Sequence, residues 1–221
     1  MRFKKNRMII LAAIILIVAM TAACAPADTP PVIEDSAPAI STEPVQESTA
    51  PIEQDEYKTD PVPEGMPEPV EPQDVVMGEN EYTCTLSISC ATILDNLKYC
   101  DPEKVDLVPE DGWILEPVEV TFREGESVFN VLQRVCKQQK IHMEFMNTPI
   151  YNSAYIEGIA NLYEFDVGEL SGWMYKVNEW FPNYGCSRYR LNDGDVICWE
   201  YTCDLGADIG DTYLMGSQGR E

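Results

Sequence analysis

Residues 118–139, VEVTFREGESVFNVLQRVCKQQ, contain the strand, turn and helix on which the fold prediction rests. Val118 to Phe122 alternates apolar and polar side chains, which is typical of a strand with one buried face. The Arg-Glu-Gly triplet that follows predicts a turn. From Ser127 to Gln139, apolar residues recur at helical spacing, and Glu126 or Ser127 is available to cap the start. This stretch therefore predicts a strand followed by one amphipathic helix.

Further strands are predicted on both sides of this unit. Alternating patterns rich in β-forming residues predict strands at Tyr82 to Ile88, His142 to Met146, Leu162 to Asp166, Trp173 to Val177 and Val196 to Thr202. A helical turn is expected around Thr92 to Tyr99. Strands before and after a single main helix predict an α+β fold with the helix on one face of a mixed sheet. This order suits a β-grasp-like arrangement.

The first 24 residues have the layout of a secretory signal peptide, with basic residues followed by an uncharged run from Met8 to Ala23. Thr21-Ala22-Ala23-Cys24 resembles the lipobox of bacterial lipoproteins, in which the cysteine is lipidated and becomes the mature N-terminus. The resemblance implies that acyl chains such as palmitate on Cys24 anchor the exported chain to the outer face of the bacterial cell membrane. The alternative is an uncleaved anchor, although a membrane-spanning helix needs about 20 apolar residues.

Residues 25–80 are predicted to form a disordered, acidic, proline-rich linker. They contain 11 of the 16 prolines and 14 acidic residues, against the single lysine Lys58. Such a segment cannot bury enough apolar surface to offset its ordering entropy. Proline content and like charge extend the chain, so the segment is expected to act as a stalk. A binding tail for basic partners is the alternative.

Residues 81–208 are long enough to form one folded domain, and residues 209–221 are expected to be a flexible tail. The chain of 221 residues has a formal net charge of −23. This charge argues against nucleic acid and anionic membrane surfaces as ligands, since both would repel the protein.

Catalytic and metal-binding motifs are weak in this sequence. The only histidine, His142, lies on a predicted strand and has no nucleophile motif to support it. No Cys-x-x-Cys pair is present, so a zinc site is not favoured. Asp193-Gly194-Asp195 predicts a turn between apolar strands, with a calcium-ligand fragment as the alternative. We therefore expect a protein that is not an enzyme and has no metal site.

Seven cysteines remain once Cys24 is assigned to the lipid. An exported domain lies where disulfides can form, so pairing is expected. Their positions indicate a structural set, in undetermined pairing, made of Cys84, Cys90, Cys186 and Cys203. Cys136, on the predicted helix, is expected to be a buried free thiol.

Aromatic residues are concentrated between Ser171 and Cys203. Some of them alternate along the last two predicted strands and are expected to belong to the core. The segment 178–185, NEWFPNYG, instead interleaves turn-forming residues with large aromatic ones. Because binding residues collect on loops of a rigid scaffold, this segment predicts an aromatic binding site for a flat ligand.

Three segments in combination, residues 125–132 (GESVFNVL), 171–178 (SGWMYKVN) and 191–196 (LNDGDV), resemble the transcobalamin-like C-terminal domain of bacterial surface lipoproteins. The resemblance covers about residues 80–208 and implies a β-grasp fold. It also implies a small ligand, with cobalamin or a related corrinoid as one option, although the helical cobalamin-binding domain of the animal carriers is missing. The implied ligand-binding residues are Trp173, Tyr175, Asn178, Trp180, Phe181 and Tyr184. Tyr151, Asn152 and Tyr155 are predicted to form a facing wall, with a covered Ω-type loop as the alternative.

Two functions therefore remain open at the level of sequence. The first is a lipid-anchored surface module that captures a small, flat, partly apolar ligand. The second is a non-catalytic module of the cell envelope, for interaction or adhesion, whose aromatic loop docks a protein or glycan partner.

Overall fold

The structure is a computed structural model that describes residues 56–57 and 59–211. The described part contains two α-helices, α1 (Ala91–Asn96) and α2 (Val128–Gln139). Its strands are β1 (Glu81–Ser89), β2 (Trp113–Arg123), β3 (Met143–Thr148), β4 (Ser153–Ile159), β5 (Leu162–Tyr163), β6 (Gly172–Val177) and β7 (Val196–Thr202). None of the helices in these residues is long and apolar enough to cross a membrane.

The larger sheet has four strands in the order β2-β1-β7-β6. The central pair β1 and β7 is parallel and places Leu86 opposite Ile197, whereas the two outer pairings are antiparallel. Alternate side chains of a strand point to the same side of the sheet. Strand β1 therefore buries Cys84, Leu86 and Ile88 together.

The main helix α2 lies in the same core as this sheet. Its start is closed by a capping box, in which the Ser127 hydroxyl accepts from the Asn130 N–H and the Asn130 side chain accepts from the Ser127 N–H at 2.9 Å. These bonds satisfy two backbone donors that the first turn leaves open. The cap predicted at Ser127 is confirmed. The helix buries Val128, Val131, Leu132, Val135 and Cys136.

A second sheet of three strands has the order β3-β4-β5. Buried side chains connect it to the larger sheet. The Trp173 indole N–H donates to the Leu162 carbonyl at 2.8 Å, and the Tyr201 hydroxyl donates to the Tyr163 carbonyl at 2.7 Å. The two sheets therefore share one core, in which aromatic residues of β6 and β7 hold β5 in place.

The predicted α+β class is confirmed, but the strands form two sheets rather than the single mixed sheet of the prediction. The predicted bounds of β1, α2, β6 and β7 agree with the structure to within a residue. Strand β4 occupies the stretch for which the sequence favoured a site wall or a covered loop. Its small residues Ser153, Ala154 and Gly158 are poor β-formers, so its strand character depends on pairing with β3 and β5.

All seven cysteines in the described residues are free thiols in this structure, so disulfides among Cys84, Cys90, Cys186 and Cys203 stay a prediction. Cys84 lies in β1 and Cys90 directly follows the end of this strand, so the two are about 20 Å apart at roughly 3.3 Å per residue. A disulfide requires Cα atoms within about 7 Å. Cys186 lies beside β4, whereas Cys203 lies beyond the end of β7, so these two are not partners either.

Residues 59–78 pack on the domain, although their composition predicts disorder. We call them the N-terminal strap. At its end the Gly78 N–H donates to the Glu124 carbonyl at 2.9 Å. Gly125 permits this close approach, since it has a φ of 91° and a Cβ there would lie 2.9 Å from the Val76 carbonyl oxygen. The predicted signal peptide with Cys24, the predicted linker up to residue 55 and the predicted tail from residue 212 lie outside the described residues.

The turn predicted at Asp193-Gly194-Asp195 is confirmed, with Gly194 at a φ of 85°. Asp193 accepts a hydrogen bond from the Thr83 N–H at 2.9 Å, which docks the turn on the start of β1. Asp195 accepts one from the Asn192 N–H at 2.8 Å. Both carboxylates are therefore engaged in hydrogen bonds with the protein. No group of three or more His, Cys, Asp or Glu residues in the described ranges is placed to hold a metal ion.

Candidate functional site

The loop between β6 and β7 begins with a tight two-residue turn. Val177 and Trp180 exchange backbone hydrogen bonds of 2.9 and 3.0 Å across Asn178 and Glu179, whose φ angles are 51° and 66°. Positive φ at both central positions is the mark of a type I′ turn. The Asn178 side chain donates to Asp195 at 2.8 Å and accepts from the Val196 N–H at 2.9 Å. Asn178 therefore holds the loop against the start of β7.

The predicted aromatic site residues mostly pack on one another. Tyr184 stacks on Tyr189 with 6.1 Å between ring centroids, and Trp180 meets Tyr184 edge-on at 5.9 Å. Tyr175 is buried, and its hydroxyl donates to the Tyr184 carbonyl at 2.7 Å. Burial raises the pKa of the Tyr184 phenol above its usual range. The loop is thus an aromatic core cluster whose ring faces are largely covered.

Three clefts follow strand β4, and neighbouring clefts share lining residues. The largest has a volume of about 560 Å³, the second about 430 Å³ and the third about 180 Å³. We call this series the β4 groove and define it by the six residues that neighbouring clefts share: Thr148, Ser153, Ala154, Tyr155, Pro182 and Gly185. The groove lies between the second sheet and the β6–β7 loop.

The floor of the groove depends on a close contact between these two elements. A Cβ at Gly185 would lie 1.9 Å from the Ser153 hydroxyl oxygen, so only glycine fits there. Ser153 and Ser187 share a hydrogen bond of 2.8 Å, and the Ser187 hydroxyl accepts from the Ala154 N–H at 3.1 Å. All three serine and alanine positions are buried. The floor of the groove is therefore a preformed surface.

The predicted facing wall lies at this groove. Tyr151 and Tyr155 are 51% and 45% exposed and both line the second cleft, together with the edge of Tyr184. Asn152 lines the largest cleft. The Tyr155 hydroxyl donates to Glu164; burial and this hydrogen bond raise the pKa of the phenol above its usual range. Two large aromatic side chains therefore stand at the groove edge in contact with solvent.

The other predicted residues divide into two groups. Trp173 and Tyr175 form part of the wall of the smallest cleft. Asn178, Trp180 and Phe181 line none of the three clefts. Trp180 belongs to the aromatic cluster, and Phe181 lies under the Lys176 ammonium group at 5.7 Å. The structure thus brings together Tyr151, Asn152, Tyr155, Trp173, Tyr175 and Tyr184 along the groove.

Sequence reasoning missed Arg188, which lines the second cleft. Its side chain is 1% exposed and forms an ion pair with Glu71 of the N-terminal strap at 2.5 Å. It also donates to the Thr59 hydroxyl, and its guanidinium lies 5.6 Å from the Tyr57 ring. A signal was present in the sequence, because Arg188 and Arg190 are the only cations of the β6–β7 loop in a strongly acidic chain.

A family model described as a domain of unknown function (DUF4430) matches residues 125–203, which include the β6–β7 loop. No curated protein matches the sequence. Among solved structures, haptocorrin in complex with Cbi matches 58% of this chain and 26% of its own, at 12% identity and a TM-score of 0.43. A Ruminococcus gnavus protein, named as a candidate metal-binding protein, matches 55% of this chain and 96% of its own, at 10% identity and a TM-score of 0.32. The matched part is thus about a quarter of the haptocorrin chain, and these distant similarities carry no argument about function.

Proposed function

We propose that this protein is a lipid-anchored surface protein on the outer face of a bacterial membrane, and that its domain binds a small, flat, partly apolar ligand in the β4 groove. The observation that carries the proposal is the groove itself. Its two larger clefts, about 560 and 430 Å³, fall within the range of roughly 300 to 1,000 Å³ typical of ligand sites. A non-catalytic role is part of this proposal.

The chemistry of the groove suits a flat ligand with a polar rim. The rings of Tyr151 and Tyr155 supply aromatic surface at one edge. The Asn147 amide and the Thr148 hydroxyl line the neighbouring cleft and can form hydrogen bonds with a polar periphery. The Asn152 amide in the same cleft already donates to Glu71 and Gln73. Small-molecule sites usually have mostly apolar walls that carry a few fixed polar groups.

Cobalamin or a related corrinoid is the ligand class we propose to test first. A corrin has a flat macrocycle with amide-bearing side chains around its rim, which matches the tyrosine edge and the amide lining. The sequence resemblance to the transcobalamin-like domain supports this choice. The topology supports a β-grasp-like description, since a helix follows β2 and the central strands β1 and β7 are parallel.

The anchor is proposed from sequence alone, on the lipobox-like Thr21-Ala22-Ala23-Cys24. A Cys24→Ala chain is expected to leave the membrane fraction and to lose incorporation of labelled palmitate. Detection of that chain in the membrane pellet at the parent level would contradict lipid anchoring.

The ligand proposal is tested by equilibrium dialysis of the full chain, in detergent, against cobalamin and cobinamide. We expect saturable binding below about 100 µM, which corresponds to about −5.5 kcal/mol. Replacing both Tyr151 and Tyr155 by alanine is expected to weaken binding at least tenfold. The matched control is Tyr99→Ala, which removes a tyrosine that is 62% exposed and lines none of the three clefts. Absence of binding, or equal loss in the control, would reject the groove as a corrinoid site.

A further inference from the structure

The N-terminal strap covers the part of the β6–β7 loop that runs from Asn183 to Arg190. The strap has little secondary structure beyond the three-residue turn Pro72–Asp74. Most of its side chains face solvent, and Met66, Val76 and Met77 are 40%, 86% and 53% exposed. Val62 packs against the core, but apolar burial otherwise contributes little to the docking of the strap. Its position must depend on hydrogen bonds and charge.

The hydrogen bonds run mainly in one direction, from side chains of the loop to backbone carbonyls of the strap. The Asn183 amide donates to the carbonyls of Asp60 and Pro61 at 3.0 and 3.2 Å. The Tyr184 hydroxyl donates to the Pro67 carbonyl at 2.7 Å. A proline-rich chain has carbonyl acceptors but few N–H donors, so a surface that binds it must supply the donors. The loop does this.

One strap amide completes the register. The Val70 N–H donates to the Arg188 carbonyl at 2.9 Å, and the Val70 carbonyl lies 3.5 Å from the Arg190 guanidinium. The β6–β7 loop thus forms hydrogen bonds with the strap backbone at four carbonyl groups and one N–H group. Among the strap side chains, Thr59, Glu71 and Gln73 form hydrogen bonds with the domain, the last accepting from the Asn152 amide at 2.8 Å.

Charge selects the occupant at one position. Arg188 is almost fully buried, and an arginine is rarely buried unless its charge is paired. The carboxylate of Glu71 pairs with it at 2.5 Å, and the other Glu71 oxygen accepts from the Asn152 amide. A guanidinium and an amide that donate to one carboxylate form a specific pocket for an acidic side chain. A neutral side chain there would remove this charge-assisted pair.

We propose that the loop surface formed by Asn183, Tyr184, Arg188 and Arg190 is a recognition site for extended, acidic, proline-rich peptides, and that the N-terminal strap is its resident occupant. The occupant chemistry is a run of proline-rich carbonyls followed by a glutamate that reaches Arg188. This site adjoins the second cleft of the β4 groove, which Asn183, Tyr184 and Arg188 line together with the tyrosine edge. The peptide test measures strap binding alone, so its outcome is distinguishable from that of the small-ligand test.

The test replaces residues 59–71 of the full chain by a glycine-serine sequence of equal length and offers a fluorescent peptide of residues 57–74 in trans. We expect the strap-replaced chain to bind this peptide with a dissociation constant in the micromolar range, measured by anisotropy. The parent chain should bind it at least tenfold more weakly, because its own strap competes at high effective concentration.

Two variants measure specificity. A peptide with Glu71→Gln should bind the strap-replaced chain at least tenfold more weakly, whereas a peptide with Glu64→Gln, an exposed position, should bind like the parent peptide. Tyr184→Phe in the strap-replaced chain should weaken binding several-fold, since it removes only the hydroxyl that donates to Pro67.

Three results would overturn the proposal. One is equal affinity for the Glu71→Gln and parent peptides, and another is no binding to a strap-replaced chain that is folded by near-ultraviolet circular dichroism. The third is a strap-replaced chain that does not fold, because the strap would then be part of the core rather than an occupant. Dimers of the parent chain that the peptide dissociates would support the proposal and identify the strap of a second copy as the partner.

Discussion

Buried thiols are a marked feature of the domain at the scale of single residues. Burial raises the pKa of Cys84, Cys90 and Cys186 from 9.0 to about 12, and that of Cys136 and Cys203 to about 11. The neutral thiol is therefore favoured in the folded protein. At neutral pH these cysteines are poor nucleophiles, which agrees with their structural position and with the absence of disulfides among the described residues.

Alkaline pH is expected to destabilise the protein under reducing conditions. Because the folded pKa values lie above the unfolded value of 9.0, the stabilisation is complete below pH 9 and is lost as pH rises through about 11 to 12. Each thiol contributes about 1.4 kcal/mol per pH unit in this window. Urea unfolding midpoints should be level from pH 7 to 8.5 and fall steeply by pH 10.5. A midpoint unchanged at pH 10.5 would contradict this account.

Single-residue roles were predictable where the cause is local. The cap at Ser127 and the turn at Gly194 follow from the residue types and their immediate neighbours. The role of Arg188 was not predictable in this way, because its partners Thr59 and Glu71 lie more than a hundred residues away in the sequence. Burial of a cation depends on that distant pairing.

At the scale of elements, the amino-acid composition of the strap and of β4 predicts their structure poorly. The strap has the proline and acidic content of a disordered segment, and its order comes from specific donors of the β6–β7 loop rather than from apolar burial. Strand β4 mixes strong β-formers such as Ile156 with the poor β-formers Ser153, Ala154 and Gly158, and pairing with its two neighbours supports it. By contrast, α2 and β7 have clear periodicity and were predicted from sequence.

The Glu71→Gln substitution is expected to loosen the strap. It removes the carboxylate that pairs with buried Arg188, and the unfolding free energy should fall by about 2 kcal/mol, less than the 3–5 kcal/mol for a fully buried pair because Glu71 is partly exposed. Cleavage by a protease at the exposed turn around Gly65 should become faster. The matched control is Glu64→Gln, which should leave both the unfolding free energy and the cleavage rate unchanged.

At the scale of the whole molecule, the boundary of the folded unit lies before the strap. The composition change places it near residue 80, whereas the described contacts begin at Tyr57 and Thr59. Most rings of the predicted aromatic site fill the core, and the exposed tyrosine surface nearby lies at β4. Which rings are covered depends on the packing of two sheets, which no single stretch of sequence determines.

Truncation tests this boundary. A chain that begins at Glu56 should unfold at the same temperature as the longer chain, since it retains the strap and its contacts with Arg188. A chain that begins at Glu79 should fold but unfold several degrees lower, in line with a loss of about 2 kcal/mol in a domain of this size. Equal melting temperatures for the two truncated chains, measured by calorimetry, would place the boundary at residue 80 after all.

The strap also has a mechanical consequence. Any tension applied to the chain ahead of Thr59 reaches the contacts of Asn183 and Arg188 before it reaches β1. These contacts follow one another along the strap, so tension would break them one at a time rather than together. The released strap of 20 residues would add about 65 Å of slack at roughly 3.3 Å per residue. The strap would therefore detach first, and force would reach the central sheet only after the strap has been extended.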